Sequence, residues 1–255
     1  MRAMQRLIPV FAFAGLLLTP AVAKETATPA IDPAAIQVLE RMGAYLRSIN
    51  TFGVRASDTI DEVLDTGQKI QMSSDIQLLV KRPNFLRANI ETDRAASRQL
   101  FYNGKLFTLF SPGKKFYATV PAKPTIGEVL TNIEAKYGIA FPLADLYRWG
   151  NDPDDIAAIK AARFIGASKI DGQLTNHYAF RQEGIDWQIW IAQGDAPLPI
   201  KYVITTTDEP EQPQYTVNLK WDTASKPDDA TFTFVPAEDD IAIAIVPLDE
   251  VKSTK

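Results

Sequence analysis

The sequence of 255 residues has no cysteine and a single histidine, His177. Without cysteine the chain forms no disulfide, carries no thiol nucleophile and offers no thiolate to a metal ion. One histidine excludes metal sites that need several imidazoles. The formal net charge is −4 and no long basic run is present. The composition therefore argues against a nucleic-acid binder, which would have to neutralise many phosphates.

Long hydrophobic runs are also scarce, and the main one lies near the start of the chain. Residues 7–18 form an apolar stretch that follows two arginines and precedes a small-residue sequence over 21–23. This layout predicts a cleaved secretory signal peptide over residues 1–23. The stretch is too short for a bilayer core, which needs about 20 residues. The sequence therefore predicts export to the periplasm as a soluble protein, with residues 24–32 as a flexible leader.

The spacing of apolar residues changes from a helical to a strand pattern near residue 51. Over residues 36–49 the apolar positions are three or four apart, which predicts an amphipathic helix. Beyond them apolar and polar residues alternate, as in strands with one wet face. The sequence Tyr-Asn-Gly-Lys at 102–105 predicts a tight hairpin turn, and Ser-Pro-Gly at 111–113 predicts the next turn.

A helical segment at residues 125–162 interrupts the strands, which then resume. Alternation predicts these later strands over residues 163–170, 173–182, 185–192, 199–207, 214–221 and 231–235. The whole pattern predicts a mainly β fold with α (α+β). We expect a curled, incomplete antiparallel β-barrel of about 10–11 strands, covered by a few helices. A single domain is expected over 33–248, followed by a C-terminal tail over 249–255.

Candidate catalytic and metal-binding residues are few. His177 has the opposite parity to the apolar residues of its strand, so we expect an outward-facing histidine rather than a catalytic base. The segment with Asp152, Asp154 and Asp155 lacks the later glycine and the bidentate glutamate of an EF-hand calcium-binding loop. They fit the start of a helix, where carboxylates are favoured. The sequence therefore predicts no catalytic residue, no metal site and no cofactor.

Large aromatic side chains fit either a packed core or a ligand cavity. Trp187 and Trp190 are three residues apart in a predicted strand, so they point to opposite faces. Phe107 and Trp149 belong to the same set of large rings. The sequence leaves both interpretations open, although the mouths of curled sheets are common sites for small molecules.

Three short motifs occur in order along the chain, over residues 78–86, 102–110 and 229–236. The first is a strand that ends in a Lys-Arg-Pro turn, and the second is an Asn-Gly-Lys hairpin followed by aromatic residues. The third has the pattern Phe-x-Phe-x-Pro. With the export signal and the N-terminal helix, they resemble periplasmic lipoprotein carriers of the LolA/LolB type. More narrowly, the chain resembles a group of uncharacterised predicted periplasmic proteins with this fold.

This resemblance implies a barrel with a lid of helices and an apolar cavity for acyl chains. Arg82 occupies the position of the family's arginine that hydrogen-bonds to the lid and helps to hold the cavity closed. A solvated charge at the end of a strand is the alternative interpretation of Arg82. Leu86 matches an aromatic residue of the family's cavity and replaces it by an aliphatic one. The lipid-anchored receptor of that fold has a cysteine after its signal, which this chain lacks.

We therefore expect a periplasmic binding or carrier protein that holds an apolar ligand, an acyl chain or a lipid-like molecule, in a lidded cavity. The expected ligand-binding residues are Leu86, Phe107, Trp149 and Trp190, and Arg82 is the expected lock of the lid. Transient contact with a membrane and an envelope protein as partner agree with this role, whereas a nucleic-acid partner does not.

Two other classes of function stay open. A non-enzymatic envelope interaction or scaffold module would have a packed interior and an exposed apolar patch or sheet edge. A hydrolase that uses the carboxylates of the helical segment is the third hypothesis. The volume and the lining of the interior discriminate among the three.

Overall fold

The computed structural model describes residues 30–149 and 153–252. The expected signal peptide over 1–23 and the side chain of Asp152 lie outside the described residues. Most of the expected leader and the last three residues of the tail also lie outside them.

The helices begin where the sequence offers caps. The Oδ1 atom of Asp32 accepts a hydrogen bond from the N–H of Ala34 at 2.9 Å, just before the first helix. Thr125 and Glu128 form a capping box at the start of the second. The helices that the sequence predicts in these two regions are confirmed. The described chain contains five α-helices: α1 (Pro33–Ser48), α2 (Ile126–Tyr137), α3 (Asp145–Arg148), α4 (Pro153–Ala157) and α5 (Leu248–Lys252).

Twelve strands of the described chain form one sheet in the order β12-β6-β5-β4-β3-β2-β1-β11-β10-β9-β8-β7. Each neighbouring pair is antiparallel except β12 with β6. The sheet is curled and does not close into a barrel, which confirms the predicted fold class. The strands are β1 (Thr51–Val63), β2 (Lys69–Lys81), β3 (Phe85–Thr92), β4 (Ser97–Tyr102), β5 (Leu106–Ser111), β6 (Phe116–Pro121), β7 (Ala161–Ile170), β8 (Gln173–Gln182), β9 (Ile185–Ala192), β10 (Pro199–Thr206), β11 (Gln214–Asp222) and β12 (Ile241–Ala242).

The two faces of the sheet have different partners. Val54 and Leu78 lie opposite each other on β1 and β2, and both belong to one core cluster with Met42 and Leu46 of α1. We call this side the covered face. Residues of opposite parity, such as Arg55, point to the other side, which we call the outer face. The core therefore lies between the helices and the covered face.

The predicted strand over 231–235 is wrong, because this segment forms a 3-10 helix (Asp229–Phe232) and then irregular backbone. Phe232 is fully buried, with its ring centroid 5.4 Å from that of Phe85. Phe234 packs on Phe101 at the same distance. Phe232 and Phe234 are two residues apart, as expected for one face of a strand. Here the same spacing places both rings on the outer face of the sheet. The segment crosses that face and does not join its hydrogen-bond ladder.

Candidate ligand cavity

A cavity of about 210 Å³ lies between α1, the segment that carries α3 and α4, and strands β8 to β10. Most of its wall is aliphatic or aromatic. Its polar side chains are two aspartates, one glutamine and one tyrosine, and its two tryptophans each carry an indole N–H. The described side chains that line it are Leu39, Met42, Asp145, Trp149, Asp155, Ile156, Ile159, Gln182, Ile185, Trp187, Tyr202 and Ile204.

Aromatic rings form much of the cavity wall. Trp149 meets Tyr202 edge to face, with ring centroids 5.1 Å apart and planes at 80°. Trp187 stacks on Phe180 at 4.2 Å, and its indole Nε1–H donates to the Oε1 atom of Gln182 at 3.0 Å. Because this indole N–H already has an acceptor, Trp187 offers the cavity an apolar surface without an unsatisfied donor.

A chain of polar groups begins at the cavity and continues along the covered face. The hydroxyl of Tyr202 donates to the Oδ2 atom of Asp145 at 3.5 Å, and the hydroxyl of Tyr215 donates to the Oδ2 atom of Asp58 at 3.1 Å. The two tyrosine rings are 5.9 Å apart. The chain therefore consists of two phenols held between two carboxylates.

Burial sets the protonation of these groups. Burial raises the pKa of Tyr202 well above its ordinary value, and nearby Tyr215 and Asp145 add to that effect. Burial also raises the pKa of Asp58, although hydrogen bonds from Ser74 and Tyr215 oppose the change. Both phenols thus remain protonated at neutral pH and act as hydrogen-bond donors.

Arg82, at the end of β2, joins the sheet to the helices. Its Nε atom donates to the carbonyl of Ile49 at 3.2 Å, and Nη2 donates to the carbonyl of Leu46 at 3.4 Å. The guanidinium carbon lies 5.4 Å from the ring centroid of Tyr147 in α3. Burial lowers the pKa of Arg82. This placement is compatible with the expected lock of the lid and differs from a fully solvated strand-end charge.

The structure separates the four expected ligand-binding residues. Trp149 lines the cavity. Leu86 and Phe107 lie in the core cluster on the covered face, and they are not part of the cavity lining. Trp190 lies on the outer face, where it stacks on His177 at 4.0 Å. Trp190 therefore belongs to a different surface from the other three.

Three polar residues of the cavity, Asp145, Gln182 and Tyr202, were not singled out from the sequence, whereas Asp155 was. Tyr202 and Asp145 are 57 residues apart in the chain, and no local pattern links them. Trp187 has the parity of Ile189 and Ile191, which are both buried. That parity is a usable signal, because it places Trp187 on the covered face and Trp190 on the other.

The outer face carries a second space, a groove of about 650 Å³. Its lining is charged, with Arg55, Arg87 and Lys220 among its side chains. The Nη1 atom of Arg87 donates to the carbonyl of Thr231 at 3.4 Å, which ties the C-terminal segment to this face. Such a lining does not suit a hydrocarbon, so the smaller cavity on the covered face is the candidate site.

The acidic residues of the helical segment do not form a metal centre within the described chain. Asp154 and Asp155 lie in α4, where carboxylates interact favourably with the first turn of a helix. Over residues 30–149 and 153–252, no group of three or more His, Asp or Glu side chains is arranged to hold a metal ion. In the same residues, no helix is both long and apolar enough to cross a membrane.

By its architecture the chain is an α+β half-barrel: a curled antiparallel sheet with helices over an apolar cavity. More specifically, residues 35–246 match the family of predicted periplasmic proteins DUF2092, so the chain belongs to this family. The predicted membership in a group of periplasmic proteins and the predicted periplasmic location are confirmed. No curated protein matches the sequence significantly.

Several solved structures are similar to this chain over most of its length. The lipoprotein LppX from Mycobacterium tuberculosis shares 10% identity over 77% of this chain and 100% of its own, with a TM-score of 0.49. LprF from Mycobacterium bovis shares 15% identity over 78% and 97%, with a TM-score of 0.47. The LolA superfamily protein NE2245 from Nitrosomonas europaea shares 12% identity over 78% and 97%, with a TM-score of 0.34.

Proposed function

We propose that this protein binds and carries an apolar ligand, such as an acyl chain or a lipid-like molecule, in the periplasm. The cavity between the helices and the covered face carries this proposal, because its wall is mainly aliphatic and aromatic. Removing apolar surface from water contributes about 25 cal/mol per Å², so a dry cavity supplies binding energy without any reactive group. No catalytic step is part of the proposal.

The size of the cavity indicates how much ligand the protein holds in its closed form, in which the helices lie on the sheet as they do in this structure. Its volume of about 210 Å³ is larger than an engineered apolar cavity of about 150 Å³ that takes up benzene. It is smaller than the roughly 300–1,000 Å³ of most ligand pockets. The closed form thus holds a short length of hydrocarbon, and a longer ligand requires the helices to move away from the sheet.

The rest of the ligand would lie along the covered face. Leu86 and Phe107 belong to the same apolar cluster as Leu39 and Met42, which line the cavity from α1. When the helices move, a chain longer than the cavity replaces their contacts with this surface. Leu86, Phe107 and Trp149 remain in the proposed ligand site, whereas Trp190 does not, since it lies on the outer face.

The experiment is a fluorescence titration with the neutral probe N-phenyl-1-naphthylamine, followed by displacement with octanol, dodecanol and hexadecanol. We expect the probe to bind at micromolar concentration and the longer alcohols to displace it better. Ile204→Phe places a larger side chain in the cavity and should weaken probe binding about tenfold, because the ring occupies volume that the probe needs and inserting both would overpack the site. The control Ile165→Phe makes the same change at a side chain that is 53% exposed. Failure of the wild-type protein to bind the probe contradicts the proposal.

The edge of the sheet formed by β7 favours a second candidate function, that of an envelope interaction module. β7 is the last strand at this edge, and only its first residues pair with the leader, through the bridge between Ile31 and Ala162 in the described chain. Phe164, Ile165 and Leu174 of β7 and β8 are about half exposed or more. An apolar edge with unpaired backbone groups is a docking surface for another chain. If the probe does not bind, this is the function that remains.

A further inference from the structure

The groove on the outer face, which we call the outer groove, is bordered by a row of polar side chains on four neighbouring strands. On β1, Arg55 has Lys220 directly opposite on β11 and Gln77 directly opposite on β2. Gln77 in turn has Asn89 opposite on β3. Residues that lie opposite each other in an antiparallel sheet share a face. All four therefore belong to the outer face, and all four line the outer groove.

Two cations of this row face each other. Like charges directly opposite on neighbouring strands destabilise a sheet. Within residues 30–149 and 153–252, the side chain of Arg55 makes no hydrogen bond or ion pair. Asp75, diagonal to it, accepts from the hydroxyl of Ser57 at 2.7 Å and is not in the lining. Lys220 pairs with Asp171 at 3.5 Å, but both side chains are mostly exposed, so this pair contributes little. Departures from charge complementarity of this kind are concentrated at functional sites.

A third cation, Arg87, also lines the outer groove. Its Nε atom donates to the Oδ1 atom of Asn89 at 3.5 Å, and Nη1 donates to the carbonyl of Thr231 at 3.4 Å. Its guanidinium carbon lies 4.9 Å from the ring centroid of Phe101. Because the Asn89 oxygen accepts from Arg87, the amide NH2 group of Asn89 is available to a ligand as a donor.

A glycine opens space in the wall of the outer groove. Gly53 lines the groove and pairs with strands on both sides, with Asp222 on β11 and Leu79 on β2. Its φ is not positive, so its backbone conformation does not require glycine. The closest atom to a Cβ at this position would be the flexible end of Leu79, at 3.3 Å. Glycine within a strand often marks a place where a ligand approaches the backbone closely.

The charge and size of the outer groove suit a small anion. Its one carboxylate, Asp222, accepts from the N–H groups of Ala224 and Ser225, both at 3.0 Å, and so serves a turn. Three cationic side chains line the same groove, in a chain whose net charge is −4. The volume of about 650 Å³ lies within the roughly 300–1,000 Å³ of most ligand pockets.

We infer that the outer groove binds a small oxyanion, a molecule with carboxylate or phosphate groups, between Arg55, Lys220 and the amide donors of the row. A guanidinium holds either group with two parallel hydrogen bonds. The inference goes beyond the proposed function, because this site lies on the opposite face of the sheet from the apolar cavity and neither site depends on the other.

Isothermal titration calorimetry at pH 7.5 in 20 mM NaCl tests the inference, with citrate and pyrophosphate as probes. The two probes distinguish a carboxylate from a phosphate ligand. We expect at least one to bind with a dissociation constant below about 1 mM, and constants above that value for both overturn the inference. Titration of the same samples with N-phenyl-1-naphthylamine reports on the apolar cavity separately, so failure at one site is distinguishable from failure at the other.

Three variants separate a built site from general attraction of anions to a basic surface. Arg55→Gln should weaken binding about tenfold. Arg163→Gln removes the same charge from an exposed position on the edge strand β7 and should have no effect. Gly53→Ala keeps every charge and places a methyl group in the groove, so it should weaken binding about fivefold.

Urea denaturation shows which variants are folded. If Gly53→Ala does not fold, Gln77→Met removes an uncharged donor instead and should also weaken binding. Equal effects of the two arginine substitutions, or no effect of the uncharged one, overturn the inference.

Discussion

The Nε atom of Arg82 lies 3.2 Å from the carbonyl oxygen of Ile49, the residue that caps the C-terminus of α1. The last carbonyls of a helix have no partner within the helix, and a cation at this end is favoured by the helix dipole. The side chain of the residue that follows β2 thus bonds to the end of α1 and contacts Tyr147 of α3. A change at this position should loosen both helices that border the cavity.

Arg82→Met keeps the length of the side chain and removes its donors. We expect the free energy of unfolding in urea to fall by about 1.5–3 kcal/mol, because hydrogen bonds from a charged donor are lost at a half-buried site. Association of N-phenyl-1-naphthylamine, followed by stopped-flow fluorescence, should become faster as the helices open more often. Arg94→Met is the control, since Arg94 is mostly exposed and pairs with exposed Glu62. Two variants of equal stability would contradict the role of Arg82.

The C-terminal segment should contribute to stability through Phe232. Its side chain is fully buried against Phe85, so Phe232→Ala should lower the free energy of unfolding by about 3–5 kcal/mol. Val235→Ala, three residues further on, changes a side chain that is 80% exposed and should alter it by less than about 0.5 kcal/mol. Urea denaturation of both variants measures the difference. A small effect of the phenylalanine change would mean that the segment is not firmly packed on the sheet.

His177 should make stability depend on pH. Burial against its neighbours lowers its pKa below the ordinary 6.5, the positive charge of Lys201 acts in the same direction, and a hydrogen bond with Gln188 opposes them. The folded protein thus holds this proton less tightly than the unfolded chain does. The stabilisation is complete above pH 6.5 and is lost as the pH falls through the lowered value.

The comparison of wild type with His177→Gln isolates this effect from the titration of carboxylates. Urea unfolding at pH 7.5 and at pH 5 gives the loss of stability on acidification for each protein. We expect the wild type to lose more than the variant. Equal losses would show that His177 titrates alike in the folded and unfolded states.

The exposed edge of the sheet should promote association. Ile165→Lys places a charge on β7, and charged residues on edge strands oppose pairing with another chain. We expect less concentration-dependent association in sedimentation velocity, with a free energy of unfolding within about 0.5 kcal/mol of the wild type. Ile60→Lys, at a side chain that is 50% exposed on the interior strand β1, should leave association unchanged. If both substitutions act alike, the edge has no special role.

Much of the fold could be predicted because the signals are local. Strands β8 and β9 have the bounds that alternation predicts, and most of α1 follows from the spacing of its apolar residues. β12 could not be predicted, since two residues carry no periodicity. The segment that carries Phe232 and Phe234 was predicted as a strand and is not one. The spacing of two between these rings fits both a strand and a segment that packs its rings on a sheet.

The site was less predictable than the fold. Trp149 was expected at the cavity and lies there, but Trp190 lies on the outer face. Parity with the apolar residues of β9 separates Trp187 from Trp190, but it does not say which residues of other elements meet either ring. Tyr202 and Asp145 meet only because β10 and α3 pack on each other, and nothing near either residue in the sequence marks that contact.

The sequence by itself determined the succession of helix and strands and the alternation that divides each strand into two faces. These follow from neighbours within a few residues, where capping and periodicity act. Only the tertiary structure decided which face the helices cover, that Arg82 closes the end of α1, and that two tyrosines and two aspartates meet beside an apolar space. Those contacts join residues far apart in the chain, and they exist because a curled sheet must bury its apolar face against something.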